Sequence, residues 1–160
     1  MHYVQAIIGN EGTLHQFVSA FPQARMAELR DGLVLIPLTD KLSKAVQGTA
    51  WPPFERLTSP FGHALSAAST TSPVAYIETE YFGGTGTQAA IVWNNGTVTM
   101  EPALYETPSD LDLPLMEQPI NRALAILEVT CEPGQVDLFD TVGLGKFRST
   151  EEWAKAAKPA

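Results

Sequence analysis

The chain has 160 residues and a mass of 17.3 kDa, and ten Lys and Arg against eighteen Asp and Glu give a formal charge of −8. This length fits one domain with its own core, so we predict a single domain over residues 1–160. The shortage of cations argues against nucleic acid and anionic membranes as partners, and a single cysteine, Cys131, excludes an internal disulfide. No stretch has the ~18 consecutive apolar residues of a membrane span, and the first residues lack signal-peptide features, which predicts a cytoplasmic protein.

The first seventy residues alternate between strand-like and helix-like patterns. Apolar, β-branched runs predict strands over residues 3–9 and 33–38, and capping residues followed by helical periodicity predict helices over 11–21, 40–46 and 60–69. Asn10 and Thr39 or Asp40 are the expected caps of the first two helices. Ser59 is expected to cap the third, with Pro60 as its first residue.

Residues 74–101 carry the clearest β pattern. Three runs, 74–82, 87–93 and 97–101, are separated by Gly83–Gly86 and by Asn94-Asn95-Gly96. Asn-Gly between two such runs is typical of a type I′ hairpin turn. We predict three consecutive antiparallel strands.

The last third of the chain predicts helices after an irregular connection. Four prolines between residues 102 and 119, among acids, predict a surface loop over residues 104–119. Helices are predicted from Pro119, over 137–144, and after a capping box formed by Ser149 and Glu152, with Trp153 facing inward. The resulting fold class is α+β: an antiparallel sheet with a central hairpin or meander, packed by several short helices.

The negative charge is unevenly distributed. Residues 1–100 carry a net charge of −2, whereas residues 101–152 carry −8. Such acids commonly cover solvated surfaces, but they can also offer a negative surface to a basic partner. The candidate contacts in this region are Glu101, Glu106, Asp110 and Asp112.

Glu78 and Glu80 lie two apart in a predicted strand, so their side chains share a face. Paired carboxylates can act as acid and base or bind a hard cation, but no third ligand is spaced nearby. A polar, solvent-facing stripe is the favoured interpretation. Tyr76 and Phe82 on the same face make it suitable for contact with a protein partner.

The glycines that follow resemble a phosphate loop only superficially. Gly86 precedes Thr87-Gln88 rather than the Lys and Ser or Thr of a Walker loop, and a strand rather than a helix comes next. A tight connection between strands is favoured. The alternative is a small-ligand site formed by Gly83, Gly84, Gly86 and Gln88.

No metal or cofactor site is predicted. His2, His15 and His63 lack zinc spacing, and Cys131 is predicted to be a small buried residue at the end of a helix. A His63–Cys131 dyad would require the fold to bring the two together. The sequence therefore favours a protein that is not an enzyme.

Several segments resemble a family of small bacterial proteins to which no activity is assigned. They are YFGGTGTQAA at residues 81–90, PINRAL at 119–124, and GLGKFR at 143–148 followed by Trp153. The resemblance extends over nearly the whole chain, but it supplies no catalytic residues. In size, acidity and lack of catalytic motifs, the chain is also similar to bacterial toxin-immunity proteins, although no motif carries this second likeness.

Two classes of function follow. The first is a cytoplasmic immunity protein that neutralises a bacterial toxin by covering its basic active-site cleft with an acidic surface. The second is a small-ligand-binding protein or enzyme that uses the Gly83–Gln88 loop, with Glu78 and Glu80 as further polar groups. A phage or structural component is a third possibility.

Overall fold

A seven-stranded antiparallel sheet forms the centre of the molecule in the computed structural model, which describes residues 1–159. The strands are β1 (His2–Asn10), β2 (Arg25–Glu28), β3 (Leu33–Pro37), β4 (Val74–Phe82), β5 (Thr85–Asn94), β6 (Thr97–Thr107) and β7 (Lys158–Pro159). Their order is β6-β5-β4-β1-β3-β2-β7, so β6 is an edge strand. The predicted α+β class is confirmed.

Helices cover both faces of the sheet. They are α1 (Glu11–Ala20), α2 (Asp40–Ala45), α3 (Ser59–Ala68), α4 (Pro119–Ile126), α5 (Leu138–Val142) and α6 (Thr150–Ala156), with a 3₁₀ turn at Leu115–Glu117. We call the side covered by α1 to α3 the first face and the side covered by α4 to α6 the second face, because each set packs on its own hydrophobic cluster. Within the described residues, no helix is both long and apolar enough to cross a membrane.

Side chains alternate between the two clusters along the central strands. In β1, Ile7 belongs to the first-face cluster, whereas its neighbours Ala6 and Ile8 belong to the second. This period of two is a property of extended backbone. A strand with helices on both sides therefore has an almost continuous apolar sequence, as residues 33–37 show.

Local capping signals fixed most helix starts. The side chains of Asn10, Thr39 and Ser149 each accept a hydrogen bond from a first-turn amide of α1, α2 and α6. The prediction for α3 was wrong by one residue: Thr58 is the cap and accepts from the Phe61 amide at 3.3 Å, while Ser59 is already helical. Both residues can cap, and Pro60 fits either of the first two helical positions because neither needs its N–H.

Two-residue turns connect β4 to β5 and β5 to β6. Gly83 and Gly84 have φ of 60° and 82°, and Asn95 and Gly96 have φ of 53° and 80°. Positive φ at both central residues is the type I′ geometry. The predicted meander is confirmed.

The predicted loop over residues 104–119 was wrong in its first part, because β6 extends to Thr107. Glu101 and Pro102 lie together opposite Ile91, where the pairing register shifts in a β-bulge. Proline is tolerated there because a bulge on an edge strand does not require its missing N–H. The short strands β2 and β7 were not predicted.

Candidate functional site

The register of the sheet brings carboxylates from different segments onto one surface. Glu80 pairs with Tyr3 on one side and with Thr87 on the other, and Thr87 pairs in turn with Glu106. Residues directly opposite one another in a sheet point to the same face. Glu80 and Glu106, two strands and therefore about 10 Å apart, thus lie on the first face, and both are exposed.

Glu78 lies two residues before Glu80 on the same face of β4, and its carboxylate binds the segment at Glu55 and Arg56. Its carboxylate accepts hydrogen bonds from the amides of Glu55 at 2.7 Å and Arg56 at 2.9 Å, and from the Tyr76 hydroxyl at 2.6 Å. Burial raises the pKa of Glu78, although these three hydrogen bonds act in the opposite direction. The expected solvent-facing stripe is thus exposed at Glu80 and half-buried at Glu78.

Glu55 joins this surface from the connection between α2 and α3. The Tyr3 hydroxyl donates to the Glu55 carboxylate, 2.7 Å from each oxygen. Desolvation and this carboxylate raise the pKa of Tyr3 to about 12. Sequence analysis missed both residues, because nothing in the local sequence indicates that residues 3 and 55 meet.

We call the carboxylates of Glu55, Glu78, Glu80 and Glu106, together with Tyr3 and Thr87, the acidic face. No Lys or Arg occurs between Arg56 and Arg122. Arg56 itself donates to the Leu38 carbonyl at 2.8 Å and pairs with Asp40 at 3.0 Å, which is the only ion pair within residues 1–159. The acidic face therefore carries negative charge that the fold does not neutralise.

A small pocket of about 120 Å³ opens on this face. Tyr3, Glu55, Glu78 and Glu80 line it together with Gln5, Leu104 and smaller neighbours. We call it the acidic pocket. Its walls combine carboxylates with apolar surface, which is a combination suited to a side chain with a cationic end.

The remaining predicted acids lie along the edge strand and the connection that follows it. Glu101 is exposed in the bulge of β6, and Asp110 and Asp112 are exposed after β6 ends. None of the three lines the acidic pocket. Large apolar side chains are exposed in the same part of the chain, including Leu104 at 48% and Leu111 at 64%.

The glycine loop and Gln88 do not converge on a common site. Gly83 and Gly84 form the open hairpin turn, and Gly86 packs against backbone, where an added Cβ would lie 1.8 Å from the Glu80 carbonyl oxygen. Gln88 is buried on the second face. Its side chain donates to Gln118 and Tyr81 at 3.0 and 3.2 Å and accepts from the Ile120 amide at 2.9 Å.

Around Gln88, the second face carries a hydrogen-bonded network. The Asn121 side chain accepts from the Leu138 and Phe139 amides at 3.0 Å each and donates to Asp137 at 2.9 Å. Gln88 and Asn121 line a groove of about 460 Å³ between the sheet, α4 and α5. His2 also lines it, and burial lowers the pKa of this histidine.

The structure does not bring His63 and Cys131 together. His63 lies on α3 at the first face, whereas Cys131 follows α4 on the other side of the sheet, next to Glu132 and Gln135. Cys131 is exposed, so its predicted burial at the end of a helix was wrong; α4 ends five residues earlier, at Ile126. Among the described residues, no three His, Cys, Asp or Glu side chains are grouped to hold a metal ion.

In comparisons with known proteins, no family model, curated protein or solved structure matches the chain. Three residues of the motifs that were noted in the sequence have structural roles: Gly86 is required by close backbone packing, and Gln88 and Asn121 satisfy buried amides. On the acidic face, by contrast, Glu80 and Glu106 are exposed and are not paired with any cation of the described residues.

Proposed function

We propose that the protein is a non-catalytic, cytoplasmic binding protein whose acidic face docks onto a basic surface of another protein. In the most specific form of this proposal, it is an immunity protein that covers the basic active-site cleft of a bacterial toxin. The observation that supports it is the acidic face itself: four carboxylates from three segments on one surface, without a cation paired to any of them.

Several physical properties of this surface favour protein binding. Uncompensated charge on one side of a molecule accelerates association with an oppositely charged partner. Hydrogen bonds already hold Glu55 and Glu78, so less side-chain entropy is lost on docking. Exposed Phe82 and Leu104 supply the apolar contact area that charge pairs alone do not provide.

The test is protection from a toxin encoded by a neighbouring gene. The candidate toxin and this protein are co-expressed in a bacterial host, and growth is measured. Wild type is expected to restore growth, whereas the double variant Glu80→Lys/Glu106→Lys is not. With purified proteins, we expect this variant to lose about 100-fold or more in affinity, because reversing two contact charges replaces attraction by repulsion.

A matched control changes the net charge equally at other positions. Glu28 and Glu132 are exposed, on β2 and in the connection after α4, away from the acidic face. The variant Glu28→Lys/Glu132→Lys should protect as wild type does. Full protection by the Glu80→Lys/Glu106→Lys variant would overturn the proposal.

A second candidate, small-ligand binding, is favoured by the groove on the second face. Its volume of about 460 Å³ falls within the range of small-molecule sites, roughly 300–1,000 Å³. Leu115, Ile120 and Phe139 provide apolar walls, and the Tyr81 hydroxyl, which accepts from Gln88, has its own proton free to donate. A thermal-shift screen with metabolites tests this candidate, and Tyr81→Phe should reduce any shift that the groove produces.

A further inference from the structure

We propose that the outer edge of β6, at residues 103–107, receives an extended basic segment of the protein partner as an additional strand of the sheet. This inference rests on the proposed function and deepens it, since it names the mode of recognition and the chemistry of the segment that is recognised. It is carried by the direction of the backbone groups of β6, by the lack of cover over this part of the strand, and by the side chains beside it.

The backbone of β6 alternates between groups that bond to β5 and groups that point out of the sheet. The type I′ turn before β5 is closed by the pair of Phe82 and Thr85, and the two residues of such a pair exchange both hydrogen bonds. Alternate residues of β5 therefore bond to β4 and to β6, and those that bond to β6 face residues 103, 105 and 107. Leu104 and Glu106 then direct their N–H and C=O groups away from β5, toward the outer edge.

These backbone groups have no partner within residues 1–159. β6 is the last strand in the order of the sheet, and outside the sheet ladder no hydrogen bond involves the N–H or C=O of Leu104 or Glu106. The connection after β6 turns to the second face instead, where the Leu113 amide donates to the Tyr105 hydroxyl at 3.3 Å. Unpaired N–H and C=O groups along a strand edge form a template for a further strand.

Only the first half of β6 is protected against such an addition. The bulge at Glu101 and Pro102 interrupts the regular pairing, and Pro102 has no N–H to offer. Residues 103–107, by contrast, pair one to one with β5 and contain neither a bulge nor a proline. This second half therefore has the regular extended geometry that strand addition requires.

The side chains beside this edge favour a basic segment over a second copy of the chain. Residues of an added antiparallel strand that lie opposite Leu104 and Glu106 point to the same face as these two. Glu106 is exposed without a paired cation in the described residues, so it attracts a Lys or Arg placed opposite it. An apolar residue opposite Leu104, which is 48% exposed, covers its side chain. A second copy would instead bring a further charge of −8 and a like-charged edge.

The probe is the peptide acetyl-Thr-Lys-Thr-Val-Thr-amide, titrated into the full-length protein labelled with ¹⁵N and followed by NMR. When it pairs antiparallel with β6, its lysine faces Glu106 and its valine faces Leu104, and the amides of both peptide residues bond to β6. We expect the largest shifts at the amides of Leu104 and Glu106, and slower exchange of both amide protons with solvent. The same peptide with glutamate in place of lysine should bind about tenfold more weakly or worse, because attraction becomes repulsion.

N-methylated peptides separate strand addition from attraction between charges alone. Methyl groups on the lysine and valine amides remove the donors that face β6 and leave the charge unchanged, so this peptide should produce no shift. A methyl group on the central threonine amide, which points away from β6, is the matched control and should keep the affinity within about threefold. Equal binding of the two methylated peptides, or of the lysine and glutamate peptides, would refute strand addition by a basic segment.

A variant of the protein tests the same edge from the other side. Leu104→Pro removes an outward N–H and leaves the bonds to β5, a position at which an edge strand tolerates proline. It should weaken peptide binding about fivefold or more, whereas Leu104→Ala, which keeps the N–H, should bind more tightly than Leu104→Pro. Unfolding curves verify that both variants are folded, and the methylated peptides decide the question in wild type if the proline variant is not.

Two results would contradict the inference at this step. One is unchanged binding to folded Leu104→Pro. The other is self-association of the protein alone that Leu104→Pro abolishes, measured by light scattering, since the edge would then take a second copy rather than a basic segment.

These outcomes differ from those that test the proposed function. If the charge-reversed variant loses protection while the two methylated peptides bind equally, the acidic face is an interface and strand addition is wrong. If the peptide pairs with β6 as expected while no growth protection is observed, the edge receives a basic strand and the immunity function is wrong.

Discussion

Near the turn between β4 and β5, polar side chains are buried and hydrogen-bonded on the second face but open to solvent on the first face. On the second face, Thr79 and Gln88 are buried and bonded: Thr79 to His2 at 2.7 Å and to the Val4 amide at 3.1 Å, Gln88 to α4 and Tyr81. On the first face, the adjacent residues Glu80 and Thr87 lie on the open side of the same two strands. Neighbouring polar residues of the same two strands thus have different roles, a structural one or a solvent-exposed one, according to the face of the sheet on which each side chain lies.

The extent of helix cover explains this difference. On the second face, α4 packs directly against β5, and the buried Gln88 side chain beneath it is hydrogen-bonded to the Ile120 amide. On the first face, the cover at this end is the segment around Glu55 and Arg56, which is held by Glu78. Side chains outside that cover keep their hydrogen-bonding capacity for another molecule.

The largest expected effect is the removal of Asn121 from the second-face network. Asn121→Ala leaves the buried amide of Leu138 without its acceptor and removes the bond to Asp137, so we expect a loss of about 2–4 kcal/mol in the free energy of unfolding. Urea denaturation measures it. The neighbouring Arg122→Ala, at an exposed position, should remain within about 0.5 kcal/mol of wild type. A loss below 1 kcal/mol for Asn121→Ala would show that the network does not stabilise the fold.

The next largest effect on stability is a difference between two glycines of the β4–β5 hairpin. Gly86→Ala should destabilise the protein by about 2 kcal/mol or more, because its Cβ would overlap the Glu80 carbonyl and shift the strand. Gly84→Ala has open space around the Cβ, so only its positive φ counts against it, at about 1–2 kcal/mol. Chemical denaturation of both variants makes the comparison, and an equal or larger loss for Gly84→Ala would contradict it.

Substitutions on the acidic face should have only a small effect on stability, in contrast to the substitution of Asn121 in the second-face network. Glu80→Gln/Glu106→Gln should change the free energy of unfolding by no more than about 0.5 kcal/mol, since neither carboxylate is paired within the fold. Binding to the proposed partner should nevertheless weaken, and its dependence on salt should become shallower. If this variant were markedly destabilised, these carboxylates would belong to the scaffold.

The smallest effect is a difference in pH response between the two faces. Burial lowers the pKa of His2, so its contribution to stability is complete above its ordinary pKa of about 6.5 and is lost as the pH falls toward the folded value. Burial raises the pKa of Glu78, so its ionised form lowers the free energy of unfolding. This destabilisation decreases as the pH falls and the carboxylate is protonated. Between pH 7 and 5, unfolding free energies should fall less in His2→Gln than in wild type. An identical pH dependence in the two proteins would contradict the assignment to His2.

The sequence predicted features that depend on neighbours along the chain. The Asn95-Gly96 turn, the cap at Asn10 and the alternation that places Glu78 with Glu80 on one face follow from local backbone geometry. The extent of β6 was not predictable in this way, because Pro102 is compatible with a strand only at a bulge on a sheet edge. The burial of Gln88 was missed for a similar reason: its partner Ile120 is 32 residues away in the sequence.

By itself, the sequence determined the α+β class, the meander of β4 to β6 and the excess of negative charge after residue 100. Only the tertiary structure decided which carboxylates act together. Strand register placed Glu106 in line with Glu80, and the contact between Tyr3 and Glu55 closed the acidic pocket. Local patterns fix the direction in which a side chain points, but the partner that it faces depends on chain segments brought together by burial of the two cores.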